Sequence, residues 1–111
     1  MESRIIYESD KTYLNTIQWQ KPGNNSESEW QYLNPESLTE RDSERIFNIS
    51  FGGETVYIVT IRNESSEISK ANFFSEIKAL YGKMEFRVWN NEFESVVEFK
   101  LEVYRIGKAS R

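Results

Sequence analysis

Hydrophobic and polar positions alternate most regularly near the C-terminal end of the chain. Met84, Phe86 and Val88 alternate with Glu85, Arg87 and Trp89. After Asn90-Asn91, Phe93, Ser95, Val97, Phe99 and Leu101 alternate with Glu94, Val96, Glu98, Lys100 and Glu102. Period two is the signature of strands with one face in the core, so this stretch predicts a hairpin. A two-residue turn at Asn90-Asn91 would set Val88 opposite Phe93, Met84 opposite Val97, Arg87 opposite Glu94 and Lys83 opposite Glu98. Each opposed charge pair adds roughly 0.2–1 kcal/mol.

The period changes just upstream. Phe73, Phe74, Ile77, Leu80 and Tyr81 recur at three-and-four spacing, which predicts a helix over about 69–81 with Ser69 as N-cap and Gly82 beyond its end. Before it, Val56 to Ile61 is apolar on both faces, which predicts a central strand covered on both sides. Phe47, Ile49 and Phe51 alternate, and Gly52-Gly53 follows. Arg45–Phe51 and Thr55–Arg62 therefore read as two strands of a tight hairpin.

The first half is less regular. Ile5-Ile6-Tyr7 suggests a short strand, and residues 12–19 suggest a second. Residues 20–29 are turn formers throughout, and Trp30–Leu33 could pair back across that loop. Asn34-Pro35 offers a helix start, with Ser37 and Glu40 spaced like a capping box, but the polar run Thr39 to Arg45 predicts a short helix at most. These elements define one α+β domain over 1–111. It is an antiparallel sheet of about five to six strands with one amphipathic helix on one face, and its C-terminal half runs hairpin-helix-hairpin.

Composition narrows the chemistry. The chain has no histidine and no cysteine. That removes the commonest general base near neutral pH, the thiolate nucleophile and the soft metal ligands. Of the eighteen acids only Asp10 and Asp42 are aspartates, and no Asp-rich calcium loop occurs. No metal site, no cofactor and no catalytic residue is expected. Glu85 would lie diagonal to Glu94 and Glu98, but Lys83, Arg87 and Lys100 interleave with them, which predicts a salt-bridged sheet face instead of an acid–base pair.

Net charge is −4, which argues against direct nucleic-acid binding. No apolar segment approaches a membrane span or an export signal, and the lack of cysteine fits a reducing, cytoplasmic setting. The acids are concentrated: residues 24–54 hold seven, against Arg41 and Arg45. Aromatic residues make up 14% of the chain. On a strict alternation, Trp89, Val96 and Tyr104 share the charged side of the sheet. Exposed tryptophan and tyrosine are favoured protein anchors.

The pattern predicts a small acidic non-catalytic protein-binding domain, of the kind seen in immunity proteins, antitoxins and phage-encoded inhibitors. Its expected contacts are Trp89, Val96, Tyr104 and Trp30 with Glu27, Glu29, Glu36 and Glu40, and a basic partner would suit them. One alternative is a structural subunit of a homo-oligomeric or virion assembly, joined through a sheet edge. Another is a small-ligand or carbohydrate binder that uses its tryptophans as stacking platforms.

Overall fold

A computed structural model describes residues 2–23 and 28–110. Three helices and seven antiparallel strands form an α+β fold in three layers. In chain order they are α1 (Ser3–Leu14), β1 (Ile17–Trp19), β2 (Gln31–Tyr32), α2 (Glu40–Ser50), β3 (Thr55–Val59), β4 (Ser66–Ser69), α3 (Phe73–Leu80), β5 (Phe86–Asn90), β6 (Ser95–Lys100) and β7 (Val103–Ala109). Short 3₁₀ turns at Pro35–Ser37 and Lys70–Asn72 precede α2 and α3. The sheet order is β1-β7-β6-β5-β3-β4, with β2 also paired to β7. β1 and β2 thus lie end to end along one edge, both paired to β7.

The sheet is covered on both faces, as the doubly apolar β3 requires. Val56 and Ile58 join the larger core with Ile46 and Phe47 of α2, Phe73 and Ile77 of α3, and Val88, Val97 and Phe99 of the sheet. Tyr57 and Val59 face the other way, into a smaller core with Ile6 of α1, Trp89, Phe93 and Val96.

Several expectations change. Ile5-Ile6-Tyr7 is helical, not a strand, and of residues 12–19 only Ile17–Trp19 extends. Ile6, Asp10 and Tyr13 share one helical stripe, and the acid in its middle disguises the period. Arg45–Phe51 is not a strand but the C-terminal part of α2 and its cap. Its buried stripe is Ser43, Ile46, Phe47 and Ser50, while Ile49 is left exposed. Two serines on that stripe hide the three-and-four spacing, and the Phe47-Ile49-Phe51 alternation is incidental. Neither Gly52 nor Gly53 takes a positive φ, so they link α2 to β3 without a tight hairpin. The strand that pairs with β3 there is β4, which the polar Ser66–Ser69 gave no reason to expect.

Ser69 makes no side-chain cap, and the expected helix opens as a 3₁₀ turn before α3. The stripe holds: Phe73, Ile77 and Tyr81 are buried, Phe74 and Leu80 partly so. Gly82 follows α3 at φ +87, where an added Cβ would meet Pro35 Cβ at 2.9 Å.

Asn34 caps the 3₁₀ turn by accepting from Glu36 N–H, and the capping box lies at Thr39 and Asp42, not Ser37 and Glu40. Thr39 Oγ1 accepts from Asp42 N–H at 3.1 Å, and Asp42 Oδ2 accepts from Thr39 N–H at 3.1 Å. The Thr39 backbone and hydroxyl hold the Asp42 carboxyl below its usual range. A lowered folded-state pKa stabilises above the ordinary carboxylate pKa, and that contribution is lost as pH falls through the lowered value. Thr39→Ala is expected to destabilise by about 1 kcal/mol near neutral pH, with the deficit narrowing in acid as Asp42 protonates. Urea unfolding across pH 2–7 checks both; an equal deficit at every pH would contradict the reciprocal cap.

The C-terminal hairpin forms, but four residues out of the expected register. Val88 pairs with Val97 and Arg87 with Glu98. The turn is longer because Asn90 Oδ1 accepts from the N–H groups of Glu94 (2.7 Å) and Ser95 (2.9 Å). An even shift leaves the paired strand residues on their expected faces, but Phe93, now in the turn, joins Trp89 in the smaller core instead of Val97 and Phe99 in the larger. A second reversal at Leu101-Glu102 then starts β7 and pairs Phe99 with Tyr104. That turn moves Tyr104 onto the face of Phe99, opposite to Trp89.

Candidate interaction surface

Three expected contacts are interior. Trp89 and Val96 are fully buried beneath α1, and Tyr104 is buried in the larger core. Alternation placed Trp89 and Val96 correctly on one face, but α1 covers that face; Tyr104 is on the other. None of the three can touch a partner in this fold.

What lies around Trp89 is a ladder of charges. Val59, Arg87, Glu98 and Arg105 stand in one row across β3, β5, β6 and β7. Asp10 descends on this row from α1, with its side chain 1% exposed. Arg87 grips it with two bonds, Nε to Oδ1 and Nη2 to Oδ2, both 2.7 Å. Trp89 Nε1–H donates to Oδ1, also at 2.7 Å. Arg87 Nη1 reaches Glu98 Oε2 at 2.9 Å, and Arg105 Nε reaches Glu98 Oε1 at 2.8 Å. The hydrogen bonds that Arg87 donates to Asp10 hold its guanidinium still more firmly protonated. Two cations face two anions, so the ladder is neutral, and such matched pairs tolerate burial where a lone charge would not.

The expected salt-bridged sheet face is present, with Glu85 paired to Lys100 at 3.6 Å. Asp10 was missed. An acid four residues from Ile6 and three from Tyr13 is the signal that would have exposed it, once the segment is read as a helix.

At the end of the ladder the Arg105 guanidinium is stacked between two indoles. Its centre is 3.8 Å from the Trp19 ring centroid and 4.4 Å from that of Trp30. The inner faces of both rings are thereby occupied by the chain itself. Trp30 is half-buried and immediately precedes the edge strand β2.

Of the expected acids, Glu36 and Glu40 are exposed and Glu29 is partly so; Glu27 lies outside the described residues. Glu29, Glu36 and Glu40 belong to one continuous segment that runs from residue 29 to the start of α2. Tyr32 in that segment is 68% exposed. Several bonds pin the segment to the body of the protein. Tyr104 O–H donates to Gln31 Oε1 at 3.1 Å, and Tyr81 O–H to the Leu33 carbonyl at 2.6 Å. Burial pushes the Tyr81 phenol well above its usual pKa, so it stays a donor. Leu33 N–H donates to the Glu102 carbonyl at 2.8 Å. Lys78 Nζ donates to the carbonyls of Pro35, Glu36 and Leu38 at 3.0, 3.2 and 3.3 Å.

A cleft of about 910 Å³ opens beside this segment between the 3₁₀ turn, the end of α3 and the β6–β7 turn. It is broad and lined by charges of both signs, among them Glu36, Lys83 and Glu102, and by no tryptophan. Among the described residues, no group of three or more carboxylates could hold a metal ion, and no helix is long and apolar enough to cross a membrane.

Compared with known proteins, the chain matches no family, no curated sequence and no solved structure. Any function must therefore be argued from its own residues.

Proposed function

We infer that this chain is a non-catalytic domain that docks on another, basic protein through the segment 29–44. The observation that carries this reading is the pinned acidic segment itself. Glu36, Glu40 and Glu44 are exposed on it, as is Tyr32, while backbone groups of residues 33–38 are fixed by Lys78, Tyr81 and Glu102. A surface held in its binding geometry loses little conformational freedom on association. Its charge would speed encounter with a basic partner. Trp30, half-buried, keeps its place in the proposal; Trp89, Val96 and Tyr104 are withdrawn from it.

The test is capture of host proteins by the wild type and by a Tyr32→Ala/Glu36→Gln/Glu40→Gln variant, at low and high salt. A discrete partner should be held by the wild type, weaken about tenfold with the substitutions, and weaken again as salt screens the surface. A complex indifferent to both salt and the substitutions would refute this reading.

A second reading, assembly of copies through a sheet edge, rests on β4. It pairs only with β3, and its sequence Ser-Glu-Ile-Ser carries neither proline nor lysine to discourage a further strand. Light scattering decides it: a monomer at high concentration would dismiss it.

A further inference from the structure

A second, smaller cleft of about 260 Å³ lies between α2 and the start of α3. That is below the roughly 300–1,000 Å³ of small-molecule sites and suits one inserted side chain. Its floor is aromatic: Phe47 and Phe73 are buried edge to face, 5.1 Å between centroids, with Phe74 beside them. Its rim is acidic. Glu40 and Glu44 stand one helical turn apart on α2, both exposed, and neither has an ion-pair partner among the described residues. Like charges at this spacing weaken a helix unless a cation lies near.

Two further observations define what the cleft accepts. Lys70, from the far wall, holds its ammonium 5.5 Å from the Phe47 ring centroid, so a cation of the chain itself already lies over that ring. Ser43, which lines the cleft, is 2% exposed, and its hydroxyl has no hydrogen-bond partner. The cleft therefore offers an aromatic face, two carboxylates and a spare hydroxyl acceptor. The nearby N-terminus of α2 does not compete for anions, because Thr39 and Asp42 close it.

We propose that this cleft receives an arginine side chain of the partner protein. The proposal rests on the docking reading above and locates one anchor within it. A planar guanidinium stacks on a ring and donates to two carboxylates at once, which a compact ammonium does less well. Entry of arginine displaces Lys70 from Phe47.

The test uses ¹⁵N-labelled protein titrated at low salt with acetyl-Gly-Arg-Gly-amide and with the same peptide carrying neutral citrulline. The arginine peptide should give saturable amide shifts centred on residues 40–47 and 70–74, and the citrulline peptide should bind at least about tenfold more weakly. Glu40→Gln/Glu44→Gln should abolish the shifts, and Lys70→Met should tighten binding severalfold by removing the internal competitor. The spectra themselves report whether each variant is folded. Equal binding of the citrulline peptide, or no saturable shift at the cleft, overturns the proposal. Shifts confined to Glu29, Tyr32 and Glu36 would overturn it while leaving the docking reading intact. That reading is decided separately by whether the capture of a partner depends on salt and charge.

Discussion

Asp10→Ala is expected to lower stability by about 3–5 kcal/mol, the usual result of removing one partner from a buried ion pair. The loss exceeds that of one contact because three donors lose their acceptor together: Arg87 Nε, Arg87 Nη2 and Trp89 Nε1. Trp89 is fully buried, so water cannot replace the carboxylate at its N–H without opening α1. A typical domain has about 5–15 kcal/mol in total, so the variant will be near its limit. Asp10→Asn, which keeps one acceptor oxygen but no charge, should fall between. Urea unfolding followed by tryptophan fluorescence measures both. A loss below about 1 kcal/mol for the alanine variant would mean that α1 is held by Ile6 and Tyr13 alone.

The second large effect is expected at Gly107. This buried residue of β7 lies between Val96 on β6 and Trp19 on β1. An added Cβ would stand 2.6 Å from Ile17 Cγ2, 2.8 Å from Trp19 Cε3 and 3.1 Å from the Gln18 carbonyl. The last contact is backbone, and the first two are side chains packed against the smaller core. Gly107→Ala should therefore push β1 off the sheet edge and cost about 1–3 kcal/mol, as overpacking does. It should also separate Trp19 from Arg105, since the stack depends on Trp19 lying flat over Gly107. Thermal unfolding and near-ultraviolet circular dichroism of the tryptophans read the two consequences independently. Unchanged stability with an unchanged aromatic spectrum would show that the edge strand yields freely.

The elements that were legible in the sequence share one property: their period is uninterrupted. The stripe from Phe73 to Tyr81 and the alternation through Phe86–Val88 and Val97–Phe99 contain no contrary residue, and they form a helix over Phe73–Leu80 and two strands, with Met84 left outside β5. β3 declared itself central because both its faces are apolar. Where a polar group occupies a core position, the period is lost. Asp10 breaks the stripe of α1, and Ser43 and Ser50 break that of α2. Asp10 satisfies a buried tryptophan and two guanidinium bonds, a role no local pattern announces because its partners are 77 and 79 residues away.

The hairpin register depended on a single asparagine side chain, Asn90, that accepts two backbone bonds and widens the turn. Phe93 within that turn takes φ +55, a left-handed conformation unusual for a bulky residue, and thereby reaches Trp89 and Tyr57 in the smaller core. Of the surface, the acids and Trp30 were visible in composition. Burial of Trp89 and Val96 was not, because it depends on a helix that the sequence disguised as a strand.

The pairing of the first strand with the last has a bearing on how the chain reaches its native state. Among the described residues, β1 pairs only with β7, and the Asp10 carboxylate of α1 bonds only to Arg87 and Trp89 of β5. Residues 3–19 are thus placed only after residues 86–109 have been made. Until α1 docks, the indole of Trp89 has no acceptor and that side of the nascent sheet is greasy and bare. Contacts such as Asp10–Arg87 span 77 residues, and closing so long a loop before any local reward arrives slows a domain's maturation. The interval during which that side stays uncovered is when this protein is most exposed to self-association.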